Sequence, residues 1–172
     1  MSCDGVGLLE LLKGLNKENL IGAEIGCGRG GTARYLLENL PNLILNGIDP
    51  YEVYVDWNGN NFGQEEHMDY MLSSIDPYKE RFNFIRKSSD IVVNDIEDNS
   101  LDYIFIDGLH TYEQVLIDCK NYYSKVKSGG IFSGHDYNVI IGVKNAVDEF
   151  AKEVNISCVQ LTDVDVWYWI KP

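Results

Sequence analysis

The chain is short of positive charge: 14 lysines and arginines stand against 27 aspartates and glutamates, a formal net charge of −13. No basic cluster appears along it, so the repeated phosphate contacts of a nucleic-acid surface have no residues to make them. No apolar run approaches the ~20 residues that span a bilayer. There is no C-x-x-C pair; Cys3, Cys27, Cys119 and Cys158 are scattered, as free thiols in a reducing compartment are. Met1-Ser2-Cys3-Asp4 lacks the basic start of a secretory signal. Internal repeats and low-complexity linkers are missing too. The expectation is a cytoplasmic globular protein without nucleic-acid or membrane partners. At 172 residues, 45% of them hydrophobic, it is expected to form one domain over 1–172, with 1–18 as a helical lead-in.

What is present centres on residues 20–32. Leu20 to Ile25 reads as a buried strand, and the glycines that follow read as a tight turn into a helix. Gly26, Gly28 and Gly30 allow the turn and let a ligand approach bare backbone. Thr32 can help satisfy the first N–H groups of the helix. About 20 residues further on, a second apolar run, 43–48, ends in Asp49. A glycine turn plus an acid at the tip of the next strand is how an α/β sheet holds a nucleoside by its ribose hydroxyls. The spacing alone leaves the ligand open, since Gly26, Gly28 and Gly31 also fit the dinucleotide pattern. Glu24, at the end of the first strand, would repel a pyrophosphate and suits a ligand carrying an ammonium group.

The rest of the chain alternates strands and helices. A short helix is expected over 5–13. Strands are expected at 20–25, 43–48, 82–86, 101–106 and 131–133. Helices are expected at 31–40, 64–75, from Ser88 onward, at 111–126 and at 142–154. Residues 50–63 mix aromatics with amides and show no period, which reads as a long functional loop. Ser128-Gly129-Gly130 reads as a turn. The last two strands, 156–161 and 164–170, are too close together for a crossover helix and must be antiparallel. This pattern predicts a doubly wound, Rossmann-like, mostly parallel sheet with helices on both faces.

The run Glu24-Ile25-Gly26-Cys27-Gly28-Arg29-Gly30 resembles the first motif of the class I S-adenosylmethionine-dependent methyltransferases, and the closing antiparallel pair resembles the usual end of their fold. The resemblance covers about residues 18–170. It implies seven strands in the order 3-2-1-4-5-7-6 with the last strand antiparallel. It also implies S-adenosylmethionine lying over Gly26, Gly28 and Gly30, with Asp49 on the ribose and Glu24 near the amino-acid end. Ser89 and Asp90 would approach the adenine edge, though Asp90 also suits a helix cap.

A second group of residues falls at the ends of the fourth and fifth strands. Asp107-Gly108-Leu109-His110 follows one and His135-Asp136 follows the other, so carboxylates and imidazoles should meet in one crevice. This arrangement looks like the metal-dependent O-methyltransferases of the catechol and macrolide-sugar types. The resemblance implies Asp107, His135 and Asp136 as ligands of a divalent metal and His110 as the catalytic base. His135 stands where an acid is expected. Mg²⁺ prefers oxygen donors, whereas imidazole suits Mn, Fe or Zn better. Simpler roles stay open for each residue: a hydrogen-bonded strand end for His135, a packed helix start for His110, a helix cap for Asp107.

The function implied is methyl transfer from S-adenosylmethionine to a hydroxyl of a small, sugar-like or natural-product acceptor, assisted by Mg, Mn or Fe. The loop at 51–62 would form a lid or acceptor wall, and a second copy of the chain could help enclose the acceptor. The alternatives are a nicotinamide-dependent oxidoreductase, a hydroxylase-like metal enzyme that transfers no methyl group, and a nucleoside-binding protein without catalysis.

Overall fold

A computed structural model of the chain describes residues 4–55, 61–62 and 65–172. Its helices are α1 (Asp4–Gly14), α2 (Gly31–Asn39), α3 (Glu65–Ile75), α4 (Ser89–Val92), α5 (Tyr112–Tyr123) and α6 (Ile141–Glu153). The strands are β1 (Leu20–Ile25), β2 (Leu43–Ile48), β3 (Tyr54–Val55), β4 (Asn61–Phe62), β5 (Phe82–Ile85), β6 (Leu101–Ile106), β7 (Val126–Gly134), β8 (Gln160–Leu161) and β9 (Trp167–Ile170). Seven of them form one sheet in the order β5-β2-β1-β6-β7-β9-β8. In order of appearance within that sheet this is 3-2-1-4-5-7-6, as expected. β1, β2, β5, β6 and β7 run parallel, while β9 is antiparallel to both β7 and β8.

The central strand shows why both faces are covered. Successive β6 side chains point to opposite faces. Ile104 and Ile106 join the core beneath α5 and α6, while Tyr103 and Phe105 join the core that includes α1 and α2 residues. Phe105 is fully buried, which contributes roughly 1.5–3 kcal/mol for a side chain of that size. α6 buries Val143, Ala146, Val147, Phe150 and Ala151, a regular apolar stripe along one face. β9 adds Trp167 and Trp169, stacked with centroids 5.6 Å apart beside Phe132.

Two expectations are corrected. The Ser128-Gly129-Gly130 turn is part of β7, which starts at Val126. β6 pairs with Val126 and then with Ile131, so these residues bulge out of the ladder at a register shift, with Gly129 at φ 77°, and Gly129 and Gly130 exchange backbone bonds with Lys171. The 50–63 segment is not wholly a loop: β3 and β4 pair antiparallel. The rest of that segment, including Trp57, Asn58 and Asn60, lies outside the described residues. α4 is a single turn continued by a 3-10 turn over Val93–Asp95. No helix is long and apolar enough to cross a membrane among the described residues.

Candidate functional site

The parallel strands β1, β2, β5, β6 and β7 end on one edge of the sheet, and a cleft of about 580 Å³ opens there. That size falls within the usual range for small-molecule sites. Its wall includes Glu24, Gly26, Gly28, Asp49, Ser89, Asp90, Asp107 and His110.

The floor is the turn after β1. Gly26 has φ 87°, and a Cβ there would meet the Asp107 carbonyl oxygen at 2.1 Å. Only glycine therefore lets the β1 turn lie against the β6 turn, and the same contact binds the two polar groups of the site into one unit. The Asp107 N–H bonds the Ile25 carbonyl at 2.8 Å. α2 is capped by Gly30 in the left-handed conformation, not by Thr32, and Gly30 offers no side-chain oxygen.

Asp49 faces this turn. Its carboxylate accepts the Gly28 N–H at 3.1 Å and the Tyr51 N–H at 2.8 Å. Burial pushes its pKa up, and those N–H bonds oppose the push. Tyr51 returns its hydroxyl to the Gly28 carbonyl at 2.7 Å and takes a positive φ of 51°. Sequence reasoning assigned Tyr51 no role, yet it locks the glycine turn to the acid at the next strand tip. Glu24 is buried at the cleft wall.

Ser89 and Asp90 begin α4 at the far wall. The Ser89 hydroxyl donates to Asp118 at 2.6 Å, and Asp90 accepts longer bonds from Gln114 and Asn121. Asp118 was not anticipated. The signal was there in α5: Val115, Asp118, Cys119 and Tyr122 are its buried residues, and Asp118 breaks an otherwise apolar stripe.

At the other side a single ring nitrogen, His110 Nε2, faces two carboxylates, Asp107 at 3.2 Å and Asp136 at 3.0 Å. Ligand-capable atoms of Asp107, His110 and Asp136 all lie within 4.8 Å of one another. Of the expected donors, Asp107 and Asp136 are in this group and His135 is not. His135 is beside Asp136, with Nδ1 at 3.1 Å from it, but its Nε2 points to the Val164 carbonyl at 3.0 Å. The reason is local: the His135 N–H still pairs with the Ile106 carbonyl, so the residue belongs to the sheet edge. Asp136, at φ 61°, turns the chain away.

The charges explain each other. Burial lowers the His110 pKa, but the two carboxylates outweigh it and raise it to about 9. Hydrogen bonds from His110 and His135 hold Asp136 far below the usual carboxylate range. Burial pushes Asp107 up, against the pull of His110. The two carboxylates thus favour the protonated form of His110.

A mostly parallel sheet of this order carries a buried acid before a glycine turn and a second acid at the tip of the next strand, and both line one cleft. A family model described as "Methyltransferase domain" matches residues 23–137, more than half of the chain. The chain belongs to that family, and its fold is that of the class I S-adenosylmethionine-dependent methyltransferases. The solved O-methyltransferase NovP superposes with a TM-score of 0.71 at 22% identity, covering 95% of this chain and 76% of that one. A structure from Staphylococcus aureus, described as a candidate caffeoyl-CoA O-methyltransferase, gives a TM-score of 0.69 at 15% identity, over 96% of this chain and 81% of that one. An uncharacterised protein of Acanthamoeba polyphaga mimivirus is 31% identical over 134 residues, 76% of this chain and 57% of that protein. The chain thus spans little more than half the length of this curated relative.

Proposed function

We propose that the chain moves the methyl group of S-adenosylmethionine to a hydroxyl of a small acceptor. One observation carries this reading. The cleft runs without a break from the glycine turn and Asp49 to Asp107 and His110, so a methyl donor on the turn and a hydroxyl near His110 share one space. NovP and the Staphylococcus aureus protein, both described as O-methyltransferases, support oxygen as the accepting atom.

Each residue then has a task. Asp49 accepts hydrogen bonds from the ribose hydroxyls, and the Gly28 and Tyr51 N–H groups keep it aimed. Glu24 faces the ammonium end of the donor. The reaction exchanges an S–C bond for an O–C bond and releases the hydroxyl proton. Asp107, His110 and Asp136 form the group that can take it, and Asp107, whose pKa burial raises, is the carboxylate best suited to accept it. Holding both reactants in one water-poor cleft supplies much of the rate.

Two carboxylates and an imidazole within 4.8 Å also fit a divalent cation. Asp107, His110 and Asp136 would hold it, and a cation there would lower the acceptor hydroxyl's pKa and fix its orientation. The imidazole favours Mn or Fe over Mg. Base and ligand are competing roles for His110, since the same Nε2 serves both. The imidazole also keeps a second reading open, a metal enzyme on this fold that transfers no methyl group. The acceptor, enclosure by a second copy and a cytoplasmic location belong to the same proposal.

The test is calorimetric titration with S-adenosylhomocysteine and with NAD, with and without Mg²⁺ and Mn²⁺, on wild type and Asp49→Ala. Micromolar binding of the homocysteine nucleoside, weakened about 100-fold in the variant by loss of its charged hydrogen bonds, supports the reading. A preference for NAD, or no binding of either, overturns it. Mn²⁺ binding that disappears in Asp136→Ala assigns the cation to the three-residue group. Metal turnover of a substrate without methyl transfer favours the second reading.

A further inference from the structure

Asp136 has a backbone conformation that few residues adopt. At φ 61° it sits in the left-handed region, which costs a non-glycine residue free energy and persists only where the surroundings impose it. Its carboxylate meets His110 Nε2 at 3.0 Å and His135 Nδ1 at 3.1 Å. The direction of that carboxylate therefore depends on what holds the chain on either side of it.

Both sides are held from one place, the turn between β8 and β9. Before Asp136, His135 Nε2 meets the Val164 carbonyl at 3.0 Å, and the Trp167 indole N–H donates to the His135 carbonyl at 3.2 Å. After Asp136, the two carboxylate oxygens of Asp165 accept the Asn138 N–H at 3.0 and 3.1 Å, and Oδ1 also accepts the Asn138 side-chain amide at 2.7 Å. The Ile140 N–H donates to the Asp136 carbonyl at 3.0 Å, so residues 136–140 close a turn with Asn138 inside it. Asp165 is not the cap of α6: the cap residue Ile140 makes no side-chain cap bond, and Asp165 grips the chain two residues earlier. The turn that carries Asp165 is itself braced. The Thr162 N–H donates to the Val166 carbonyl at 2.9 Å, and the Val166 N–H donates to Thr162 Oγ1 at 3.2 Å. α1 backs it closely, since a Cβ on Gly7 would meet Thr162 Oγ1 at 2.7 Å and Val164 Cγ2 at 2.8 Å.

We propose that Asp165 sets Asp136 opposite His110, and so decides whether the Asp107, His110 and Asp136 group is assembled. Asp165 is a positioning residue, because its carboxylate acts through Asn138, two residues beyond Asp136. Its bonds to Asn138 are open to water and add little to overall stability. What they fix is the path of the chain as it leaves Asp136. The closing hairpin of the sheet thereby becomes part of the site. The inference rests on the role proposed above for the three-residue group.

The experiment compares wild type, Asp165→Gly and Asp165→Asn. Asp165 has φ 62°, so glycine removes the carboxylate without adding backbone strain. Asparagine tolerates the same conformation and keeps one acceptor oxygen. Crystal structures without metal come first. In Asp165→Gly, Asp136 is expected to leave the left-handed region and its carboxylate to move out of hydrogen-bond reach of His110 Nε2. An Asp136 that keeps both its conformation and that contact overturns the inference. Calorimetric titration with Mn²⁺ is the second measurement. Affinity should fall about 10-fold or more in Asp165→Gly, and less in Asp165→Asn, while S-adenosylhomocysteine affinity stays within about twofold of wild type. Melting curves of the three proteins should nearly coincide. Unchanged Mn²⁺ affinity in Asp165→Gly overturns the inference, as does parallel loss of both ligands with a lowered melting temperature, the sign of a merely structural role. Wild type that binds no Mn²⁺ overturns the cation reading of the group, and the crystal structures then decide this inference. If Asp165→Gly fails to fold, Asp165→Asn decides: an unmoved Asp136 with wild-type Mn²⁺ affinity overturns it.

Discussion

The two edges of the sheet treat buried acids in opposite ways. Where the strands begin, Asp102 of β6 is 1% exposed and meets Lys17 at 2.6 Å, Lys127 at 2.9 Å and the Ile21 N–H at 2.8 Å. Burial pushes its pKa up, but the two ammonium groups and the N–H outweigh it and hold it low. Where the strands end, Asp107 and Asp136 share a histidine, and Asp118 has hydroxyl and amide partners only. Lysine keeps its charge over the whole range in which a protein is folded. Histidine gives up its proton at an accessible pH and can exchange it for a metal. An acid tied to lysine is therefore a permanent fastening, and an acid tied to histidine, or to no cation, keeps a position that ligands or protons can alter.

The comparison can be tested first at His110. Its folded pKa is raised to about 9 from an ordinary 6.5. A raised histidine contributes stability that is full below its unfolded pKa and is lost as pH rises through the folded value. Metal-free wild type should thus lose roughly 2–3 kcal/mol between pH 6.5 and pH 10. His110→Gln should show a flatter profile in the same denaturant titrations. An equal slope in both proteins would break the contrast.

Asp102 comes next. Asp102→Asn at pH 7 should cost about 2 kcal/mol: a buried pair loses more than this when one partner goes, and the one-third exposure of both lysines reduces it. Because the folded pKa is lowered, this contribution is present above the unfolded value near 4 and fades as pH falls further. Urea unfolding at pH 7 and pH 3 measures both points, and a variant as stable as wild type at pH 7 would remove the fastening role.

Asp118 should give a smaller effect of opposite sign. Burial raises its pKa to about 6, so its ionisation costs stability as pH rises from about 4 through 6. Asp118→Asn should be more stable than wild type at pH 8 by on the order of 1–2 kcal/mol. The gap should close near pH 4, where wild type is protonated. A variant less stable than wild type at pH 8 would place Asp118 with Asp102 instead.

How legible the molecule was follows from the range of the interactions involved. β1, β2 and β6 were visible to the residue because each is a short, mostly apolar run that ends at a glycine or an acid. The terminal antiparallel pair was visible because two strands were separated by too little chain for a helix. The start of β7 was misjudged because Ser128-Gly129-Gly130 has the composition of a turn, and only backbone bonds to the distant Lys171 carry the strand through it. The resemblance placed His135 where an acidic ligand is expected. Its Nδ1 does reach Asp136, while its Nε2 finds the Val164 carbonyl, 29 residues away, a contact that no local pattern reveals.

By itself the sequence determined the fold class, the glycine turn with Glu24 and Asp49, and the acids at the ends of β6 and β7. These depend on hydrophobic period, turn chemistry and strand length, all of which act within a few residues. Tertiary structure alone decided that the His110 ring lies between Asp107 and Asp136 while His135 reaches the Val164 carbonyl, and that the Ser89 hydroxyl donates to Asp118. Those outcomes depend on side-chain direction and burial, and both are set only when distant segments pack against one another.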